Sequence, residues 1–396
     1  MFIKYSVKII SVFLSLFIII SCACLTSAAP DGAEEAPQTA RPSSPFDLDC
    51  ASAVLMDAEC GTILYNKNGD AALPPASVTK VMTLLLVMEA VDGGVMSLTD
   101  TLQVSEYAAS MGGSQVYLEP GEQMTVEELI KCVVISSAND AAVTLAEAVG
   151  GSESAFVNMM NERARQLGMT STNFENATGL DDTTVNHVTS AADIAVMSRE
   201  LLSHETILKY SSIWTDTIRD GAFGLTNTNR LIRFYNGATG LKTGSTSKAK
   251  FCISATACRD GMHLIAVIMG APTRDVRNEA AKTLLDWGFA NFAVIRFEEA
   301  EQKSIRVIGG ESPCCRCRSD AFAALIPKSD AKNFTTKIEM ADQLASPVKE
   351  GDVVGKVVIE GPSGKIGELD IKAAESVDKM SFGTLFRKML GIFSMS

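Results

Sequence analysis

The chain has 396 residues, 46% apolar and 21% charged, a globular composition long enough for more than one domain. Acidic residues outnumber basic ones, 47 to 35, and the net charge of −12 excludes the basic surplus that bulk nucleic-acid binding needs. Only three histidines occur, His187, His204 and His263, none adjacent and none in an HExxH pattern, so no metal or other cofactor is implied.

Lys4 and Lys8 precede an apolar run from Ile9 to Leu25, and the small residues Thr26, Ser27, Ala28 and Ala29 follow. These are the parts of an export signal over 1–29, with cleavage expected after Ala29. Two other readings stay open: an uncleaved anchor, since the run is slightly long, and lipidation of Cys22, since Ile19-Ile20-Ser21-Cys22 has the form of a bacterial lipobox. Residues 30–45 hold Pro30, Pro37, Pro42 and Pro45 among Ala, Glu and Ser, which reads as a flexible linker.

The segments ASAVLMD (51–57) and TILYN (62–66), joined through Glu59-Cys60-Gly61, predict a β-hairpin. Helices are expected from about Ser77 to about Arg199, and VTKVMTLLLVMEAV is apolar nearly all round, so it predicts a buried helix. Residues 240–271 predict two or three antiparallel strands, and 273–289 an amphipathic helix. The two ends of this region then meet in one antiparallel sheet flanked by helices, with a helical insert on one side, an α+β fold. From about 294, short alternating runs such as SIRVIGG and DVVGKVVIEG predict a small β-rich domain.

The last stretch, 379–396, sets Phe382, Leu385, Phe386, Met389 and Phe393 on one helical face, beside Lys379, Arg387 and Lys388 and no acid. It is too short and too charged to cross ~30 Å of hydrocarbon. It suits a helix lying on a membrane surface, the alternative being a terminal helix docked on its own protein. Of ten cysteines, Cys22 and Cys24 fall in the export signal, Cys132 and Cys252 read as core residues, and Cys50, Cys60 and Cys258 have no obvious partner. Cys314-Cys315-Arg316-Cys317 offers one CxxC spacing; without a second pair, incidental thiols or one local bridge are favoured over zinc.

Three short clusters carry chemistry. In Pro74-Pro75-Ala76-Ser77-Val78-Thr79-Lys80 the prolines pin the start of a helix, and Lys80 lies three residues after Ser77, on the same face. A serine hydroxyl needs a neighbouring base, and a lysine serves once burial or nearby charge lowers its pKa. Alone, the spacing fits an ordinary helix start equally well. Ser136-Ser137-Ala138-Asn139-Asp140 separates two apolar helical runs, as a helix cap or as a site element. Gly240-Leu241-Lys242-Thr243-Gly244-Ser245 reads as a strand whose glycines admit a ligand backbone, or as a solvated edge strand.

In this order, separated by 60 and 105 residues, the clusters form the Ser-x-x-Lys, Ser-x-Asn, Lys-Thr-Gly set of penicillin-recognising serine enzymes. The stretches at 177–200, 227–252 and 284–289 add to the likeness, and the chain resembles a D-alanyl-D-alanine carboxypeptidase, a low-molecular-mass penicillin-binding protein, over about 46–293. The resemblance implies a β-lactamase/transpeptidase-like catalytic domain over 46–293, a β-rich domain over 294–378 and an amphipathic membrane-anchor helix over 379–396. It implies that Ser77 attacks the carbonyl between two terminal D-alanines of a peptidoglycan stem peptide and that Lys80 accepts its proton. Ser137 would pass a proton to the leaving residue, Asn139 would hold the substrate amide, and Lys242 with Thr243 would receive the terminal carboxylate. The backbone N–H groups of Ser77 and Ser245, next to Gly244, would form the oxyanion hole. β-Lactams would acylate the same serine. The expected place of action is the outer face of the cytoplasmic membrane and the cell wall.

Class A β-lactamases carry a Glu-x-x-Leu-Asn loop after the second cluster; the corresponding region reads NFENATGLDD, which argues against efficient β-lactam hydrolysis. The rivals are an endopeptidase or transpeptidase using the same site, and a non-catalytic penicillin-binding wall protein.

Overall fold

The computed structural model describes residues 46–362 and 364–393, with side chains as far as Arg387. The expected export signal and linker lie outside the described residues, as do the side chains of Lys388, Met389 and Phe393.

Strands β1 (Ser52–Asp57) and β2 (Ile63–Lys67) form the expected hairpin, with β1 buried along its whole length. A 3₁₀ turn, Ala76–Thr79, then leads into helix α1 (Lys80–Asp92), so Ser77 sits in the turn and the α-helix starts only at Lys80. Helix α1 is buried on nearly every face, as its apolar run predicts.

The expected helical stretch is broken by β3 (Thr101–Gln103), α2 (Glu106–Ala109) and β4 (Gln123–Thr125), with β3 and β4 paired antiparallel. Next come α3 (Val126–Ile135), α4 (Asn139–Gly150), α5 (Glu153–Gln166), α6 (Ala191–Leu202) and α7 (Glu205–Ser211). Thr125 and Glu128 close a capping box at the start of α3, satisfying two otherwise unpaired N–H groups. Strands β5 (Thr215–Ile218) and β6 (Phe223–Thr226) form a small hairpin, followed by α8 (Leu231–Phe234). Strands β7 (Ala238–Thr246), β8 (Lys250–Arg259) and β9 (Met262–Ala271) and helix α9 (Arg274–Asn291) complete this part.

The central sheet is antiparallel, in the order β2-β1-β9-β8-β7. Strand alternation sends Val54, Met56, Ile265 and Val267 to the face covered by α1 and α6, and Leu55, Leu264, Ala266 and Ile268 to the face covered by α9. Strand β7 is the edge, and its outer side faces the turn that carries Ser77. The two ends of the 46–293 region thus share one sheet, with α2–α5 as the helical insert.

Strands β10 (Phe292–Phe297), β11 (Ala300–Ile308), β12 (Cys314–Ser319), β13 (Phe322–Pro327), β14 (Thr335–Met340), β15 (Gln343–Ala345), β16 (Val353–Gly361) and β17 (Gly364–Ala373) make up the β-rich part. Six form one sheet, β14-β16-β17-β12-β11-β15, while β10 pairs with β13. Alternation along β12 buries Cys315 and Cys317 and exposes Cys314, so the two ends of the CxxC spacing point to opposite faces. No local bridge forms there; all described cysteines are free. Helix α10 (Phe382–Phe393) starts at Ser381, whose hydroxyl accepts from Thr384 N, and Thr384 Oγ1 donates to Glu311 at 2.8 Å. Phe382, Leu385 and Phe386 are exposed. Among the described residues no helix is long and apolar enough to cross a membrane.

Candidate active site

Lys80 is fully buried, and its amine lies 3.1 Å from Ser77 Oγ. Two other oxygens face it: Asn139 Oδ1 at 2.5 Å and the backbone carbonyl of Thr178 at 2.8 Å. Both of those can only accept. A neutral amine has two N–H groups, which these carbonyls engage, so its lone pair is left for the Ser77 hydroxyl proton. Burial is the main cause holding the Lys80 amine well below the usual lysine range, the Lys242 charge adds to it, and Asp140 opposes it. The environment therefore favours the proton-accepting form of the base.

The second cluster spans two caps, Ser136 closing α3 and Ala138 opening α4, yet Ser137 caps neither helix. Ala138, not a serine, occupies the N-cap of α4 and makes no side-chain cap bond. Ser137 instead takes a left-handed conformation, φ 63°, which turns it inward; such local strain is tolerated where the surroundings over-determine it. Its hydroxyl accepts from Lys242 Nζ at 2.7 Å, while Asn139 Nδ2 donates to Gly112 O at 2.6 Å. The buried Asp140 carboxylate accepts from Val116 N and Leu118 N and so fixes the loop that carries Gly112 and Ser114.

The third cluster is not a solvated edge. Lys242 is 1% exposed and Thr243 6%. Burial, with the Arg277 charge second, pushes the Lys242 amine down to about 7. Thr243 Oγ1 donates to Thr228 Oγ1 at 2.9 Å. A Cβ on Gly244 would stand 2.8 Å from both Pro75 O and Ser77 N, so only glycine lets β7 rest against the nucleophile's turn.

All eight residues expected from the sequence thus lie around one place. Ser77, Ser137, Thr243, Gly244 and Ser245 line a cleft of about 570 Å³, and Lys80, Asn139 and Lys242 form its buried floor.

Sequence reasoning missed two parts of this site. The first is the loop after α5. Asn176 Oδ1 accepts from Thr178 N and Gly179 N, and its Nδ2 donates to Leu180 O, which folds the loop so that Thr178 O meets Lys80. Gly179 has φ +81°, and a Cβ there would lie 1.9 Å from Ala76 O. Thr83 Oγ1 donates to Ala177 O, and His187 joins the loop to Thr79. His187 Nδ1 accepts from Glu175 N, so the ring proton sits on Nε2 and is donated to Thr79 Oγ1 at 2.8 Å. The Asn-Ala-Thr-Gly run was the available signal.

The second is Arg277 on α9, 2% exposed and lining the cleft. Its guanidinium donates to Asn278 Oδ1 and Cys252 O and, among the described residues, is paired with no carboxylate, and burial pushes it down to about 10. A buried cation without a counter-ion suits an anionic ligand. An arginine on the inward face of an amphipathic pattern was the signal. Among the described residues no three His, Cys, Asp or Glu side chains gather as a metal site would require.

The family profile described as D-alanyl-D-alanine carboxypeptidase matches residues 37–273, and that of the penicillin-binding protein 5 C-terminal domain matches 317–379. The D-alanyl-D-alanine carboxypeptidase DacF of Bacillus subtilis is 39% identical over 372 residues, covering 90% of this chain and 93% of its own. DacC of Escherichia coli is 32% identical, covering 85% and 86%. Among solved structures, penicillin-binding protein 5 from Haemophilus influenzae superposes with a TM-score of 0.75 at 32% identity, covering 85% of this chain and 99% of that one. The ampicillin-bound penicillin-binding protein D2 of Listeria monocytogenes gives 0.55 at 34% identity, covering 62% of this chain and 100% of that one.

Proposed function

The chain belongs to the D-alanyl-D-alanine carboxypeptidase family, and on that premise we propose how its cleft divides the work. It is a serine-type carboxypeptidase acting outside the cytoplasm on peptidoglycan stem peptides, and it binds β-lactams. Ser77 attacks the carbonyl between the two terminal D-alanines as Lys80 takes the hydroxyl proton. The oxyanion forms against the N–H groups of Ser77 and Ser245. Ser137, bonded to Lys242, passes a proton to the departing nitrogen, so the peptide bond breaks and D-alanine leaves. Water then hydrolyses the ester on Ser77. Thr243 and Arg277 receive the terminal carboxylate, while Lys242 is held by Ser137 and Thr243 O. Both ends of the Asn139 amide are engaged within the protein, so its first task is to orient Lys80.

The observation that supports this reading best is the lone pair of a buried Lys80 left facing Ser77 Oγ. Release of D-alanine from diacetyl-L-Lys-D-Ala-D-Ala, followed by coupled oxidation, tests it. Turnover that vanishes in both Ser77→Ala and Lys80→Met is expected; turnover surviving in either would overturn it.

Around that core, residues 1–29 export the chain, 30–45 space it from the membrane, and the 46–293 domain carries the site. The β-rich 294–378 segment holds the catalytic part above the bilayer, and the 379–396 helix lies on the lipid surface. The exposed Phe382, Leu385 and Phe386, with Arg387 beside them, support the last step.

A further inference from the structure

The cleft that holds Ser77 and Thr243 is also lined by residues outside the three clusters. The Thr243–Thr228 hydrogen bond sets the 226–230 segment against the strand, and the lining residues include Trp214, Phe234, Arg230, Arg274 and Arg277. This is the side on which the leaving residue departs, since Thr243 takes its carboxylate. One α-carboxylate balances one of these cations, and Arg277, buried next to Cys252, is the one placed for it.

Two guanidinium groups are left over. Arg230 and Arg274 are exposed, and among the described residues neither makes an ion pair. Asp275, in the first turn of the helix that Arg274 starts, and Glu279 line an adjoining depression that Arg230 and Phe234 share, where Glu279 is bonded to Lys282 at 2.8 Å. Arg274 is also the first residue of an 18-residue helix, whose N-terminus adds positive potential at the same point. The rim is closed by Trp214 and Phe234, 6.3 Å apart, with the Arg233 guanidinium over both rings. The pocket thus has an aromatic rim and more positive charge than one carboxylate uses.

We propose that this end of the cleft is a second anion subsite that selects the leaving residue, with Arg230 and Arg274 gripping a side-chain carboxylate on the terminal D-amino acid. The inference rests on the carboxypeptidase reading above. It assigns the enzyme a class of substrates ending in D-Ala-D-Glu or D-Ala-D-Asp, removed in preference to neutral residues of the same shape.

The test compares diacetyl-L-Lys-D-Ala peptides ending in D-Ala, D-Glu or D-Gln, using the full chain and the Arg230→Gln/Arg274→Gln double variant. Turnover of the D-Ala peptide tests the carboxypeptidase reading by itself. The D-Glu to D-Gln ratio of kcat/KM tests the subsite, because the two side chains differ in charge and hardly in size. A preference of about tenfold for D-Glu is expected, the scale of a charge-assisted contact at a partly exposed site. It should shrink as salt is raised and fall to about unity in the double variant. If the unmodified enzyme handles D-Gln as well as D-Glu, or the double variant keeps the preference, the subsite is refuted whatever the D-Ala peptide does.

Discussion

Asn139 Oδ1 accepts a 2.5 Å hydrogen bond from Lys80 Nζ, tying the second sequence cluster to the base of the first. Asn139 in turn is held by Gly112 O, and Asp140 beside it holds the loop that carries Gly112. The base, at the start of α1, is therefore oriented by groups from α4 and the loop after α5.

Acylation should have an acid limb set by Lys80. Below its lowered pKa the amine is charged, has no lone pair, and cannot take the Ser77 proton, so the rate falls as pH falls. The Lys242 charge helps hold Lys80 down. Lys242→Gln removes that charge, so the Lys80 pKa should rise and the limb should move to higher pH. Stopped-flow acylation by a fluorescent penicillin across pH reads it; a limb that stays put or moves lower contradicts the assignment.

Asn176→Ala should loosen the Thr178 carbonyl from Lys80 without opening the core, since Asn176 makes only local loop bonds. Acylation should slow about tenfold, the scale of losing one orienting contact to a general base. The melting temperature should hardly change. A variant as fast as the parent would show that the loop does not orient the base.

The expected hairpin, the 240–271 strands and the 273–289 helix could be read from the sequence because each is long and periodic. The three clusters announced the nucleophile and base through side-chain identity. Other parts carried weaker signals or none. Strands β3 and β4 are three residues each, too short for alternation to register. Thr178 acts through a backbone carbonyl, which every residue carries. Arg277 reads as surface charge until the fold turns it inward. Cys314 and Cys317 show the reverse: a suggestive spacing that strand geometry divides between two faces.

His187 should make the enzyme acid-sensitive. Burial pushes its imidazole down to about 4, against 6.5 for a free one. Between those values the unfolded chain binds a proton that the folded chain refuses, so stability falls as pH drops from 6.5 towards 4. The full loss is about 3 kcal/mol. Urea unfolding at several pH values should show this slope, and His187→Gln should flatten it. An unchanged slope would place the acid sensitivity elsewhere.

Truncation before Lys379 should release the protein from anionic lipid vesicles in a flotation assay, with D-alanine release from soluble peptide unchanged. Continued flotation of the truncated chain, signal removed, would mean that another surface binds lipid.

The central claim is that one hydroxyl, made reactive by a neutral buried amine, carries the acyl group. Peptide mapping by mass spectrometry after brief reaction with penicillin tests it most directly. A single penicilloyl adduct on Ser77 is predicted, absent from Lys80→Met within the same reaction time. An adduct on any other residue, or one forming on Ser77 equally fast without Lys80, would contradict it.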